Sequence, residues 1–346
     1  MRVLNIAYQQ LRRYGKTRVS WAQKLTYGLI KNDHYTQGFS DRDVAAFEAP
    51  FGIRELGVKK ANRRLLETVD AFEPDLVIAG HCDMISNDTL AEIKQRFPNC
   101  AVVHCNNDPL FVPSNVERIK HRASVTDAVF VSTGRRELSM FEGIKARVYH
   151  MPNPVDASIE NLNNAERTDL SIDLLFCSNS NDFTERLQMI KRFKDELAAE
   201  MNFKTYGSFG EPPVWGRDYD RALANTKMGL NLNRQEGDYW YSSARMAQLA
   251  GNGILQFTSA KPRFDELLPD ESAVYFSGED DLLSKIREFH HDDAKRQAWA
   301  TRTRDFFHTE ISSTLYAQYI LEASLQIPFS HEYVWARDIN LDGTMK

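Results

Sequence analysis

Residues 227–257, KMGLNLNRQEGDYWYSSARMAQLAGNGILQF, constrain the fold more than any other stretch of this chain. They join two short apolar runs through a polar loop and a helix that stops at Gly-Asn-Gly. Met228 to Leu232 reads as a buried strand, and Asn233, Arg234 and the acidic, aromatic segment behind them leave the sheet at its carboxyl end. Ser242 or Ser243 is placed to cap a helix carrying Arg245, Met246, Leu249 and Ala250, and Gly251 to Gly253 stop it before a second strand, Ile254 to Phe257. A strand, a helix and a further strand in this order predict a parallel sheet covered by helices. Such a helix also aims amide N–H groups and the positive end of its dipole above the sheet, where an anion such as a diphosphate can sit, and Arg245 adds a permanent charge there.

The same alternation runs through the whole chain. In the first half, strands are expected at Arg2 to Ala7, Leu76 to Ala79, Ala101 to His104, Val129 to Ser132 and Val148 to Met151. Helices are expected around Val19 to Ile30, along the apolar stripe Ala61, Leu65, Leu66, Val69 and Phe72, and around Thr89 to Phe97. Two strand ends carry polar clusters, Gly80-His81-Cys82-Asp83 and Cys105-Asn106-Asn107-Asp108-Pro109. Pro152-Asn153-Pro154-Val155-Asp156 then breaks the pattern. Beyond it the alternation resumes with strand Ile172 to Cys177, helix Thr184 to Ala199 and strand Phe203 to Tyr206. After residues 227–257 come strand Ala273 to Phe276 and helices Asp280 to Phe289, Asp293 to Phe307 and Ser312 to Leu325.

These motifs resemble the carboxyl-terminal domain of GT-B glycosyltransferases, in particular the bacterial "glycosyl transferases group 1" branch that includes spore-maturation-type proteins. The pattern is met by Lys227, Gly229, Leu230 and Asn231, then by Arg245, Gln248 and Gly253, then by the apolar strand Ile254 to Phe257 and by Glu266 to Leu268. It is not met everywhere. Gln248 stands where many relatives carry the glutamate expected to hold the donor ribose, and the earlier glutamate of that pair falls on Trp240. A neutral amide still accepts a hydrogen bond but brings no charge. Small polar residues, Ser178-Asn179-Ser180-Asn181, replace the glycine-containing turn that often faces the diphosphate.

The resemblance implies an α/β protein of two doubly wound, Rossmann-like domains facing a central cleft. Residues 1–155 would form an acceptor domain and 156–311 a nucleotide-sugar donor domain, with 312–346 as a crossover helix and tail returning to the first domain. A length of 346 residues suits two such domains better than one. The implied activity is transfer of a sugar from a nucleotide diphosphate to a hydroxyl of a glycan or lipid-linked acceptor, as in bacterial surface polysaccharide or glycoconjugate synthesis. The implied donor-binding set is Arg245, Gln248, Asn233, Arg234, Ser178, Asn179, Arg186, Ser242, Ser243 and Gly253. For Arg186 an ion pair with a neighbouring carboxylate competes with that role, and for Gln248 simple packing does. Asp108, Asp83 and His81 are the candidate general bases, and a role as satisfied turn residues competes for each.

Other constellations point to duller roles. Asp218-Tyr219-Asp220 has the form of a metal-binding D-x-D but opens a helical pattern, so helix-start stabilisation is the stronger reading. Asp41-Arg42-Asp43 is read as a polar turn, and none of the nine histidines, the adjacent His290 and His291 included, has metal-ligand spacing. No metal or cofactor is expected, the nucleotide sugar being a substrate, and the lack of G-x-G-x-x-G after the first strand argues against a nicotinamide dehydrogenase. A net charge of −5 argues against a nucleic-acid partner. No apolar run could span a bilayer or serve as a secretion signal, and four cysteines without C-x-x-C spacing suit the reducing cytoplasm. The basic cluster Lys59, Lys60, Arg63 and Arg64, with Arg118, Lys120, His121 and Arg122, is either a solvated face or an attachment to the anionic inner face of a membrane. The rival functions are a nucleotide-sugar epimerase or hydrolase of the same architecture and a non-catalytic nucleotide- or glycan-binding protein.

Overall fold

The computed structural model describes residues 1–11, 21–178, 184–235, 237–337, 340 and 342–344. They form two compact units: one holds the described residues up to Pro154 together with those from Ser312 onward, and the other holds Val155–Ile311.

The first unit carries strands β1 (Arg2–Ile6), β2 (Tyr35–Phe39), β3 (Leu76–Ala79), β4 (Ala101–Asn106), β5 (Ala128–Val131) and β6 (Arg147–His150). They build one sheet in the order β2-β1-β3-β4-β5-β6, and every neighbouring pair is parallel. Its helices are α1 (Trp21–Lys31), α2 (Asp41–Phe47), α3 (Arg54–Phe72), α4 (Asn87–Arg96) and α5 (Pro113–Ala123). The chain leaves β1 for β2 on one side and returns to β3 on the other, so the direction of winding reverses between β1 and β3. Crevices for ligands open at the carboxyl ends of strands at such a reversal.

The second unit repeats the plan with β7 (Ile172–Cys177), α6 (Glu185–Leu197), β8 (Phe203–Tyr206), α7 (Arg217–Ala224), β9 (Thr226–Asn231), α8 (Ala244–Gly251), β10 (Leu255–Ser259), β11 (Val274–Phe276), α9 (Glu279–His291) and α10 (Asp293–Glu310). Its parallel sheet runs β11-β10-β9-β7-β8, with the reversal between β7 and β9. Strand β7, IDLLFC, is apolar except at Asp173, which pairs with Lys227. Leu174 and Phe176 enter the core shared with α6 and α9, while Ile172 and Leu175 enter a second core with Leu249 of α8, so both faces are buried.

The last helix, α11 (Ser313–Leu325), belongs to the first unit, as expected for a helix that crosses back. Its hold there is specific. Asn32 Nδ2 donates to the Thr314 carbonyl at 2.9 Å, Arg147 reaches the carbonyls of Ala323 and Ser324, and Tyr319 packs edge-on against Phe130 and Tyr149. Within the second unit its first and last residues meet, Val155 N donating to the Ile311 carbonyl at 3.0 Å.

Three elements escape the sequence reading, and one expectation needs correction. Strand β2 and helix α2 carry little apolar signal and escape the sequence reading, and α5 escapes it as well. Asp41-Arg42-Asp43 is not a polar turn but the first turn of α2, with both aspartates buried. Asp41 Oδ2 accepts from Met84 N while its covered Oδ1 has no partner among the described residues, and burial pushes the carboxyl up to about 6. That value lies above the ~3.9 of an unfolded chain, so the fold binds this proton more tightly. The stability it contributes is complete below about pH 4 and is lost as pH rises through 6. Asp41→Asn should therefore gain roughly 2 kcal/mol over the wild type at pH 8 and little at pH 4. Urea unfolding of both chains at the two pH values checks this, and an equal gain at both would contradict it.

Candidate active site

The reversal between β7 and β9 gathers the sequence-predicted donor residues that lie near it. Arg245 stands in the first turn of α8, and one guanidinium nitrogen donates to the Leu232 carbonyl, just beyond β9, at 3.2 Å. Arg186, in the first turn of α6, donates to the same carbonyl at 3.0 Å, and its guanidinium lies 5.6 Å from the Phe176 ring centre. Two cations thus share one neutral acceptor.

Arg245 is the unusual one of the two. Its Nε is fully covered, and among the described residues it has no hydrogen-bond partner and no carboxylate pairs with the side chain. Burial pulls its pKa below the ordinary arginine value. A covered cation without a counter-charge is costly, and an anion entering the site would remove that cost. Ser243 is the residue before α8, but its hydroxyl donates to Asn231 Oδ1 at 3.0 Å instead of capping the helix. The first-turn amides of α8 therefore receive no acceptor from that side chain. Asn231 is fixed in turn by donating to Thr258 Oγ1 on β10.

The remaining predicted donor residues divide. Ser178 follows β7 and Asn233 follows Leu232, both half-buried, Ser242 is buried beside Ser243, and Arg234 is exposed. Asn179 lies outside the described residues. Gly253 is not part of this group. It turns the chain beyond the far end of α8 with φ +68°, and a Cβ there would stand 3.0 Å from the Ala165 backbone nitrogen, so the turn itself accounts for the glycine. Gln248, one turn after Arg245, accepts a hydrogen bond from Tyr219 of α7 at 3.0 Å through Oε1. Trp240 adopts a left-handed backbone at φ +52°, is buried against Tyr239, and donates to the Arg263 carbonyl. Tyr239 in turn donates to Glu266. Sequence reading missed Tyr219 and this aromatic and acidic brace, because each contact joins segments distant along the chain.

In the first unit, His81 and Asp108 come together at the carboxyl ends of β3 and β4. His81 Nε2 lies 3.0 Å from Asn107 Oδ1 and 3.8 Å from Asp108 Oδ1, while Arg118 donates to the other Asp108 oxygen at 2.9 Å. Both side chains are about one third exposed. Asp83 is apart from them, paired with Arg42 at 2.7 Å. Nearby His104 plays a different part: burial lowers its pKa to about 3, and Nδ1 donates to the Ala79 carbonyl, so it stays neutral and structural. Among the described residues no group of histidine, cysteine and carboxylate side chains could hold a metal ion, and Asp218 pairs with Arg221 of its own helix.

Comparison with known proteins agrees with this topology. Residues 185–322 match the sequence profile of the family described as "Glycosyl transferase-like". No curated protein sequence matches the chain. Among solved structures, sucrose-phosphate synthase from Thermosynechococcus elongatus superposes with a TM-score of 0.63 at 10% identity, over 94% of this chain and 98% of that one. HepE from Anabaena, in complex with UDP and glucose, gives 0.60 at 11% identity over 94% and 100%. AviGT4, a glycosyltransferase involved in avilamycin A biosynthesis, gives 0.57 at 13% identity over 96% and 98%. The fold is GT-B, with two Rossmann-like parallel sheets.

Proposed function

We propose that this GT-B chain is a glycosyltransferase of the group 1, spore-maturation-type branch. It would take a sugar from a nucleotide diphosphate donor to a hydroxyl of a glycan or lipid-linked acceptor. The observation that carries the proposal is the guanidinium of Arg245 at the sheet reversal, its covered Nε without a partner among the described residues, beside Arg186 and the start of α8. As the bond to the anomeric carbon breaks, charge grows on the leaving diphosphate. Fixed guanidinium and amide donors at that position favour the transition state over the ground state. The second unit then binds the donor, and the first serves the acceptor.

For an inverting transfer the acceptor hydroxyl must give up its proton, and His81 is the best-placed base, oriented by Asn107 and Asp108. Asp83, held by Arg42, is the weaker candidate. Among the described residues no metal-ligand set is present to support the diphosphate, so in this reading activity is expected to survive EDTA.

Gln248 offers a more selective test. Gln248→Leu should weaken binding of the ribonucleotide while leaving a 2′,3′-dideoxy analogue unaffected, because that analogue has no hydroxyl to lose. An equal response of both ligands in calorimetry would make Gln248 solely the packing partner of Tyr219. The activity itself is tested by incubating the protein with a panel of sugar nucleotides, with and without acceptor glycans, and reading the products by mass spectrometry. The proposal expects acceptor-dependent transfer. Acceptor-independent conversion would assign the fold to an epimerase or hydrolase, and binding without turnover to a non-catalytic protein.

A further inference from the structure

A second surface, in the first unit and unconnected with nucleotide binding, stands out by its chemistry. Between α2 and α3 the chain makes a single tight turn, Pro50–Gly52, closed by hydrogen bonds from Gly52 N to the Ala49 carbonyl and from Ile53 N to the Pro50 carbonyl. Phe51 at its tip is 96% exposed and is held at φ +56°, a conformation that bulky residues rarely adopt. Strain of this kind persists where the surrounding structure imposes it, and here it presents an aromatic ring to solvent. Phe47 at 63%, Leu56 at 61% and Ile53 at 48% exposure flank it. Four large apolar side chains within ten residues form a patch of the kind that soluble surfaces seldom leave bare.

The patch has a basic border. Leu56, Lys59, Lys60 and Arg63 follow the spacing that brings residues to one face of a helix, and that face is exposed, since α3 buries Gly57, Ala61, Leu65, Val69 and Phe72 instead. From Phe47 to Arg64 the chain carries five cations, Arg54, Lys59, Lys60, Arg63 and Arg64, against the carboxylates of Glu48 and Glu55. Those carboxylates are already paired, Glu48 with Arg64 and Glu55 with Arg54, and Arg63 keeps a longer, exposed pair with Glu67 at 3.6 Å, which leaves Lys59 and Lys60 as the cations without a carboxylate among the described residues. The stretch is therefore net positive in a chain whose total charge is −5. The other basic group noted in the sequence has no such setting: Arg122 is committed to Asn87 and the Ile85 carbonyl, and Arg118 to Asp108.

We infer that the α2–α3 corner is a membrane-docking surface: Phe47, Phe51, Ile53 and Leu56 enter the interface of a bilayer while Lys59, Lys60 and Arg63 meet anionic lipid headgroups. Among the described residues no helix is long and apolar enough to cross a membrane, so contact of this kind is peripheral. Apolar insertion and headgroup attraction act together in such contacts, and the second is screened by salt.

The test is sedimentation of the full chain with vesicles of phosphatidylcholine alone or mixed with phosphatidylglycerol. Binding to the mixed vesicles, weakened by high salt, is expected. The pairs Phe51→Ser with Leu56→Ser, and Lys59→Glu with Lys60→Glu, should each lower partitioning about tenfold or more with an unchanged circular dichroism spectrum. Equal binding to both lipid mixtures, no binding, or unchanged binding of the Phe51 and Leu56 pair would overturn the inference. So would a dimer, seen by light scattering, that this pair dissolves, because a second copy of the chain would then cover the patch.

Discussion

Arg245→Ala is expected to weaken binding of a nucleoside diphosphate by roughly ten- to a hundredfold while leaving the matching nucleoside almost unchanged. Among the described residues the side chain donates only to the Leu232 carbonyl and its covered Nε has no partner, so most of its hydrogen-bonding capacity is available to a ligand. Hydrogen bonds to a charged group contribute about 1.5–3 kcal/mol, which is the origin of the range. The fold should tolerate the change, because no counter-charge among the described residues offsets the burial of this cation, and removing it relieves a desolvation cost. Lysine should restore only part of the affinity, since its single ammonium cannot present the planar fork of donors. Calorimetry with both ligands checks all three points, and equal losses for nucleoside and diphosphate would remove Arg245 from the phosphate site.

Gly28→Val should destabilise the first unit by about 3 kcal/mol or more, because overfilling a packed contact forces backbone apart. A Cβ at Gly28 of α1 would lie 1.9 Å from the Ser313 carbonyl oxygen and 2.9 Å from Ala317 Cβ, so α11 would have to move away from α1. Gly38→Ala serves as the contrast, since a Cβ there meets nothing within 4 Å and its φ is not positive. It should be neutral or stabilise by a few tenths of a kcal/mol. Thermal unfolding of the two variants measures the difference. Similar midpoints would mean that the returning helix is not held against α1 as closely as the geometry requires.

How much of this could be read from residues alone depended on where each signal resides. Strand β3 begins and ends where its residue pattern places it, at Leu76 and Ala79, because a buried parallel strand is a continuous apolar run bounded by turns. Strand β2 could not be recognised: Tyr35, Thr36, Gln37, Gly38 and Phe39 form a sheet edge with one buried residue, and an edge need not be apolar. Burial of Asp41 was equally hidden, since a carboxylate in a polar sequence reads as solvated until the tertiary fold covers it. For the site, the position of Arg245 followed from local spacing. The convergence of Arg186 on the same carbonyl and the bond from Tyr219 to Gln248 are tertiary facts that local spacing does not encode.

Hydrogen–deuterium exchange with and without a nucleoside diphosphate tests the central claim most directly, because it reports where the ligand is held without presupposing the reaction. Protection is expected in three segments of the second unit: the end of β7 through Ser178, the stretch from Asn231 to Arg234, and the start of α8 from Ser243 to Gln248. The same ligand should leave these segments unprotected in Arg245→Ala at concentrations that saturate the wild type. Protection confined to the first unit, or to segments at the amino ends of the strands such as the turn at Gly253, would contradict a diphosphate site at the reversal between β7 and β9.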